Sequence, residues 1–409
     1  MEVASAYVKE HNAEAAAVWQ AFHAGNPIRP PVFLGTNTQF FIFNDDLNPN
    51  EAISFEKYST DARTMFEFQL QAALWRAENI APYCDDPVGL PNEFTVKVDL
   101  QNYDEAAYFG APVIFLPGQI PDTHPILEGN RKYALFDQGL PDPLYGGWYR
   151  RAHEMYEQMQ VLIKSQPTFS GRPIRLEPFG IYTCGILTVA HSLRGNALFT
   201  DFYDDPDYVH QLLEFITEAT IARIRAHQRL FGLGELAPSL FFADDSIQLI
   251  STKLLKEFVL PLYKHLKASV TTAERVKIHL CGNAQRHFKL LRDEIGAYEF
   301  DTGFPIDFST LRQELGEEVT IWGGPNVMVL RNGTEEETCK ETLRILNSGI
   351  CKGGKFILRE GNNLPPYTPL KNLEAMYQAA RSWSYSTNEI DFFRIGGEAQ
   401  YSKKVKTTK

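Results

Sequence analysis

Short apolar runs alternate along the chain with longer stretches in which apolar residues recur every three or four positions. Runs of four to six residues, most of them ending in Gly, Asp or Asn, lie at 31–35, 79–83, 175–179, 239–243, 276–281, 298–301, 319–322 and 355–359. They are too short for stable helices and are bounded by turn formers, so they predict buried strands. Helical periodicity occupies 60–78, the stretch from 187, and 252–268, 286–295, 309–315, 335–346 and 370–383. A further amphipathic helix over 8–24 precedes the first run. Strands separated by helices pair in parallel, because each crossover returns the chain to the same end of the sheet. Eight such units predict an α/β fold, a (β/α)8 TIM barrel forming a single domain over 1–409. A doubly wound open sheet is the alternative, and no Gly-x-Gly-x-x-Gly turn follows any of the runs to support it. Residues 91–170 hold Pro112, Pro117, Pro121, Pro125, Pro141 and Pro143 and little periodicity. They predict an insertion after the second strand, at the barrel mouth, where it would form a lid or part of the pocket.

Composition narrows the classes. With 44% hydrophobic and 22% charged residues, the 409-residue chain can build a large core and is not disordered. The balance of 40 basic against 51 acidic residues, net −11, argues against a nucleic-acid or anionic-membrane partner. The one basic cluster, Lys403, Lys404, Lys406 and Lys409, falls in a polar tail over about 400–409 and reads as a solvated terminus. No window reaches 18 apolar residues, so no membrane span is expected. The first residues lack the charged and apolar regions of a secretory signal, which predicts a cytoplasmic location. Cys84, Cys184, Cys281, Cys339 and Cys351 are odd in number and scattered, unlike a disulfide framework.

His279-Leu280-Cys281-Gly282 is the sharpest chemical signal. Side chains at i and i+2 of a strand share a face, so imidazole and thiol converge at the strand's C-terminal end, in the barrel mouth. Nitrogen and sulfur at one spot make half of a zinc site; a core His beside a core Cys is the plainer alternative. A third ligand must come from another strand end. Cys339 falls in a helix and Cys351 ahead of the eighth strand, the wrong end for both, whereas Glu360 follows that strand and offers an oxygen. Asp244 and Asp301 end other strands and are rivals. Asp85, Asp86, Asp244, Asp245 and Asp301 gather at the same rim, where close carboxylates raise one another's pKa and suit acid–base work or cation binding. Helix capping would account for each singly, but the doubled Asp244-Asp245 exceeds what one cap needs. His191 opens an otherwise apolar helix, where a core role is the plainer alternative. The turn Gly323-Gly324-Pro325-Asn326 can bring backbone N–H groups to an anion.

From about residue 176 to 383, and more loosely from 29, these landmarks resemble the uroporphyrinogen decarboxylase superfamily. They are Leu193-Arg194-Gly195, Ala243-Asp244-Asp245, His279-Leu280-Cys281-Gly282-Asn283, Asp301, the strand leading into Gly-Gly-Pro-Asn, Asn332-Gly333-Thr334-Glu335-Glu336, and Pro365-Pro366-Tyr367-Thr368-Pro369 with Asn372. The resemblance implies an (α/β)8 barrel. It also implies kinship with the haem-pathway decarboxylase and with zinc methyltransferases that exchange methyl groups with corrinoid proteins. On the decarboxylase side, Asp86 falls near the catalytic acid and His191 stands where a Tyr is usual. The segment after Arg29-Pro30-Pro31-Val32-Phe33 lacks the arginines that would offset the desolvation of many carboxylates. On the methyltransferase side, His279 and Cys281 match the first two zinc ligands. The third, a Cys in a Gly-Cys-Gly-like turn, is replaced by Gly361-Asn362-Asn363, which leaves an oxygen ligand such as Glu360, a different metal, or none.

The expectation is therefore a zinc enzyme that moves a methyl group between a corrinoid and a thiol or O-methyl substrate. A metal-free tetrapyrrole decarboxylase and a non-catalytic ligand-binding barrel are the alternatives. Asp86, His191, Asp244, Asp245 and Asp301 are the catalytic candidates. Arg29, Gly324, Asn326 and Asn362 are the substrate-binding ones, and His279, Cys281 and Glu360 the metal ligands. A small-molecule substrate and a corrinoid protein are the expected partners, with the oligomeric state, a homodimer included, left open.

Overall fold

The computed structural model describes residues 2–385, so the basic tail over 400–409 lies outside the described residues. In chain order the strands are β1 (Phe94–Val96), β2 (Val113–Ile114), β3 (Asp122–Thr123), β4 (Thr168–Phe169), β5 (Arg172–Leu176), β6 (Phe241–Ala243), β7 (Val276–Leu280), β8 (Ala297–Thr302), β9 (Thr320–Gly323) and β10 (Phe356–Leu358). Strands β6 to β10 form one parallel sheet with neighbours in sequence order, and β1 pairs in parallel with β5. Isolated parallel bridges extend the five-stranded sheet at both edges, from Leu358 to Val32 and from Phe242 to Thr183. The fold is mixed α/β around parallel strands, as the alternation of runs and helices predicts.

Register explains which side chains meet. Phe242, Ile278, Phe300, Ile321 and Phe356 lie side by side across the sheet and are all buried. They face the helices; Phe288 of the helix Gln285–Ile295 stacks on Phe300 at 4.7 Å. Burying each such side chain stabilises the fold by about 1.5–3 kcal/mol. One residue further along, Ala243, His279, Asp301 and Trp322 are likewise in register, on the opposite face. The period of two therefore separates a dry layer against the helices from a polar layer on the inner side.

The expected helices appear at Ala62–Asn79, Ile186–Arg194, Gln285–Ile295, Phe308–Leu315, Glu335–Ile345 and Leu370–Ser382. Two expected strands do not: the run 31–35 contributes only the isolated bridge from Val32 to Leu358, and the run 79–83 forms no strand. Residues 79–83 finish the helix Ala62–Asn79 and turn through the 3-10 segment Ala81–Tyr83, with Ile80 and Ala81 buried. A five-residue apolar run has no period that separates a strand from a helix end, and Pro82 suits the first turn of a new helix. A short parallel strand, β1, lies instead inside the stretch read as an insertion. That stretch also holds the 17-residue helix Tyr149–Ser165, which returns the chain to β5. Among the described residues, no helix is long and apolar enough to cross a membrane.

Candidate metal centre

The inner layer of the sheet brings His279 and Cys281 together as their spacing requires. His279 Nε2 lies 3.0 Å from Cys281 Sγ, and its Nδ1 lies 2.9 Å from Asp301 Oδ2, supplied by the register-matched position on β8. The third partner is Asp245, two residues beyond the end of β6. Its Oδ1 accepts from the Cys281 backbone N–H at 2.6 Å. One ligand atom from each of Asp245, His279 and Cys281 falls within 4.8 Å of the others. Backbone shape makes room for this: Gly282 turns at φ +70°, and a Cβ on Gly303 would lie 2.8 Å from the Cys281 Cα.

Electrostatics keep the group charged and ordered. Burial opposes the imidazolium of His279, but hydrogen bonds to Asp301 and Cys281 outweigh it and raise its pKa to about 10. Burial pushes the Cys281 thiol up, with His279 pulling the other way. For Asp301 burial is overcome by the His279 hydrogen bond and the Arg359 charge, and its pKa is lowered. Nε2 and Sγ, 3.0 Å apart, are the two atoms that would have to be free of protons to hold a divalent ion.

Glu360, the expected oxygen ligand, is not in this group. It is wholly buried, accepts from the Gly35 N–H at 3.1 and 3.0 Å, and is paired with Arg359. Desolvation raises its pKa to about 7 against the pull of Arg359. Asp244 is also spent. It accepts from the Leu187 and Thr188 N–H groups, the Thr188 hydroxyl and the Tyr263 hydroxyl, so it caps the helix Ile186–Arg194 across space. The doubled Asp divides the work: the first serves the helix, the second faces Cys281.

The remaining candidates scatter. Asp86 is ion-paired to Arg76 at 2.6 Å, and His191 contacts Ser246 and Asn196. No hydrogen bond or ion pair among the described residues joins that pair. Arg29 does not present a free guanidinium to a substrate. It is 4% exposed and bidentate to the buried Asp85. Gly324 is where the backbone passes the Arg359 carbonyl, which an added Cβ would meet at 1.8 Å. Asn326 caps the helix Val327–Asn332 through the Met328 N–H, and the Asn362 carbonyl accepts from Arg359 at 3.0 Å.

A second acidic group escaped the sequence reading because both of its acids sit in the stretch read as an insertion. Asp104, Glu105 and Cys184 also place ligand atoms within 4.8 Å. Here, however, Glu105 is ion-paired to the buried Arg223 and accepts from Thr183 and the Cys184 N–H, so a guanidinium already fills the cation's place. Desolvation and the neighbouring Glu105 charge raise Asp104 to about pKa 7. The native state then holds more protons than the unfolded chain between about pH 4 and pH 7, and stability falls as pH rises through that window. An Asp104→Asn variant is expected to lose less stability than the parent between about pH 4.5 and pH 7.5 in urea titrations. Parallel loss in both would count against a buried, proton-holding Asp104.

The family model for uroporphyrinogen decarboxylase (URO-D) matches residues 179–383, half of the chain. The methylcobamide:CoM methyltransferase MtbA of Methanosarcina acetivorans is 22% identical over 202 residues, covering 49% of this chain and 57% of that protein. The methylated-thiol–coenzyme M methyltransferase of Methanosarcina mazei is 28% identical over 181 residues, covering 43% and 45%. The chain thus spans about half the length of the curated relatives it matches. A solved methyltransferase from Methanosarcina mazei superposes with a TM-score of 0.59 over 88% of this chain and 96% of the other, at 19% identity, a likeness of fold.

Proposed function

The chain belongs to the uroporphyrinogen decarboxylase family, and from that premise we propose that it is a methyltransferase of the corrinoid-linked branch. Its centre is a zinc ion held by His279, Cys281 and Asp245. The carrying observation is the convergence of one nitrogen, one sulfur and one oxygen donor within 4.8 Å at neighbouring strand ends. That donor set suits zinc, and three protein ligands leave a position for substrate. When bound, the ion supplies Lewis acidity toward a thiol or an ether or hydroxyl oxygen.

The chain's own residues do the rest. Cys281 and His279 would hold the ion through Sγ and Nε2, as thiolate and neutral imidazole, each giving up the proton it carries there. Asp245 takes the ligand place read for Glu360, and its tie to the Cys281 N–H holds the two in one geometry. Asp301 orients the imidazole from the far side. The methyl group passes to or from a corrinoid carried by a partner protein, in keeping with relatives named for methylcobamide and methylated-thiol substrates. We also read the parallel strands as a closed eight-stranded barrel, with a Val32 strand as the first and β1 as the second.

Protein purified without chelators should carry about one zinc per chain, and should transfer methyl from methylcobalamin to a simple thiol, followed by the corrinoid absorbance. Less than about half an equivalent of metal in active protein would rule the centre out. Loss of carboxylates from a porphyrinogen, with no methyl transfer, would favour the decarboxylase alternative instead.

A further inference from the structure

We propose that Arg359 is a positioning residue for the metal centre: through Asp301 it presents Nε2 of His279 to the ion, and it keeps Asp301 itself out of the coordination shell. The proposal rests on the metal-centre reading above. Arg359 Nη1 donates to both Asp301 oxygens, at 2.8 and 2.7 Å, and Asp301 Oδ2 meets His279 Nδ1 at 2.9 Å. On its other side the guanidinium is paired with Glu360, whose oxygens accept from the Gly35 N–H. A continuous ladder therefore runs from Gly35, past β10 and β8, to the imidazole on β7. Gly35 is part of the design, since a Cβ there would stand 2.5 Å from Arg359 Nη2 and 2.6 Å from Glu360 Oε1.

Two physical consequences follow. The imidazole can turn about its broad, two-fold χ2 torsion, so an anchored partner on Nδ1 is what selects the orientation that aims Nε2 at Cys281 and Asp245. Asp301 is a carboxylate one strand from the ion and, without Arg359, would compete as a ligand. With Arg359 bonded to both of its oxygens, those lone pairs and that charge are already engaged. Buried Arg359 is in turn balanced by two acids, Asp301 and Glu360, rather than left as an unpaired charge.

The test uses the full chain loaded with cobalt(II), whose visible band reports ligand geometry and whose affinity is read by competition with a chelating dye. Arg359→Met should bind cobalt about 10- to 100-fold more weakly, with a changed band. Arg359→Lys should recover part of the affinity, since an ammonium can still donate to Asp301 but lacks the second nitrogen that ties Arg359 to Glu360. Circular dichroism establishes that each variant is folded. Should Arg359→Met fail to fold, Asp301→Asn gives the same reading, because it keeps a hydrogen-bond acceptor and removes the charge that Arg359 holds. A folded variant with parental affinity and band overturns the positioning role and leaves the metal centre standing. A parent chain that takes up no cobalt overturns both.

Discussion

Replacing His279 and Cys281 together by alanine is expected to reduce bound zinc from about one equivalent to under ~0.1, and methyl transfer by at least ~1000-fold. The pair supplies the nitrogen and the sulfur, and Asp245 alone leaves a single oxygen, too few donors for a tightly held ion. Folding should survive, because Asp301 keeps its bidentate bond to Arg359 after the imidazole is gone. Metal analysis and circular dichroism on the same sample make the measurement. A folded double variant that retains zinc would show that the ion sits elsewhere and would sink the proposed function.

Asp85→Ala is expected to destabilise the protein by about 3–5 kcal/mol, read as a lower urea midpoint, or to prevent folding altogether. Asp85 is 1% exposed and is the shared acceptor for Arg29 at 2.7 and 2.6 Å, the Val32 N–H at 2.7 Å and the Tyr377 hydroxyl at 3.1 Å. Truncation removes both close ionic contacts of the buried Arg29 and leaves it Glu14 alone at 3.2 Å, and two further donors lose their partner. It also cuts the link between the segment at Val32 and the helix Leu370–Ser382. Parental stability combined with weakened substrate binding would return Arg29 to the substrate site, against its sealed position here.

Much of the architecture can be read from one dimension because it depends on local periodicity. The spacing of apolar residues within 276–281 or 286–295 reports burial on one face, and burial is what makes the strand or helix persist. His279 and Cys281 belong to the same category: two residues on one strand must share a face, whatever surrounds them. The residue run at 79–83 marks where periodicity stops helping, since a helix end and a strand of that length look alike.

The partners of those residues were decided by the tertiary structure alone. Asp245 rather than Glu360 stands beside the thiol because β6 and β7 are neighbours in register, while Glu360 is turned aside by Arg359 and the Gly35 N–H. The Glu105–Arg223 pair joins residues 118 positions apart, and Asp85 meets Tyr377 across 292. Sequence patterns carry what each residue does to its own segment. Which carboxylate is free to hold an ion depends on which donors have already claimed the others, and those donors arrive from distant segments only when the chain has folded.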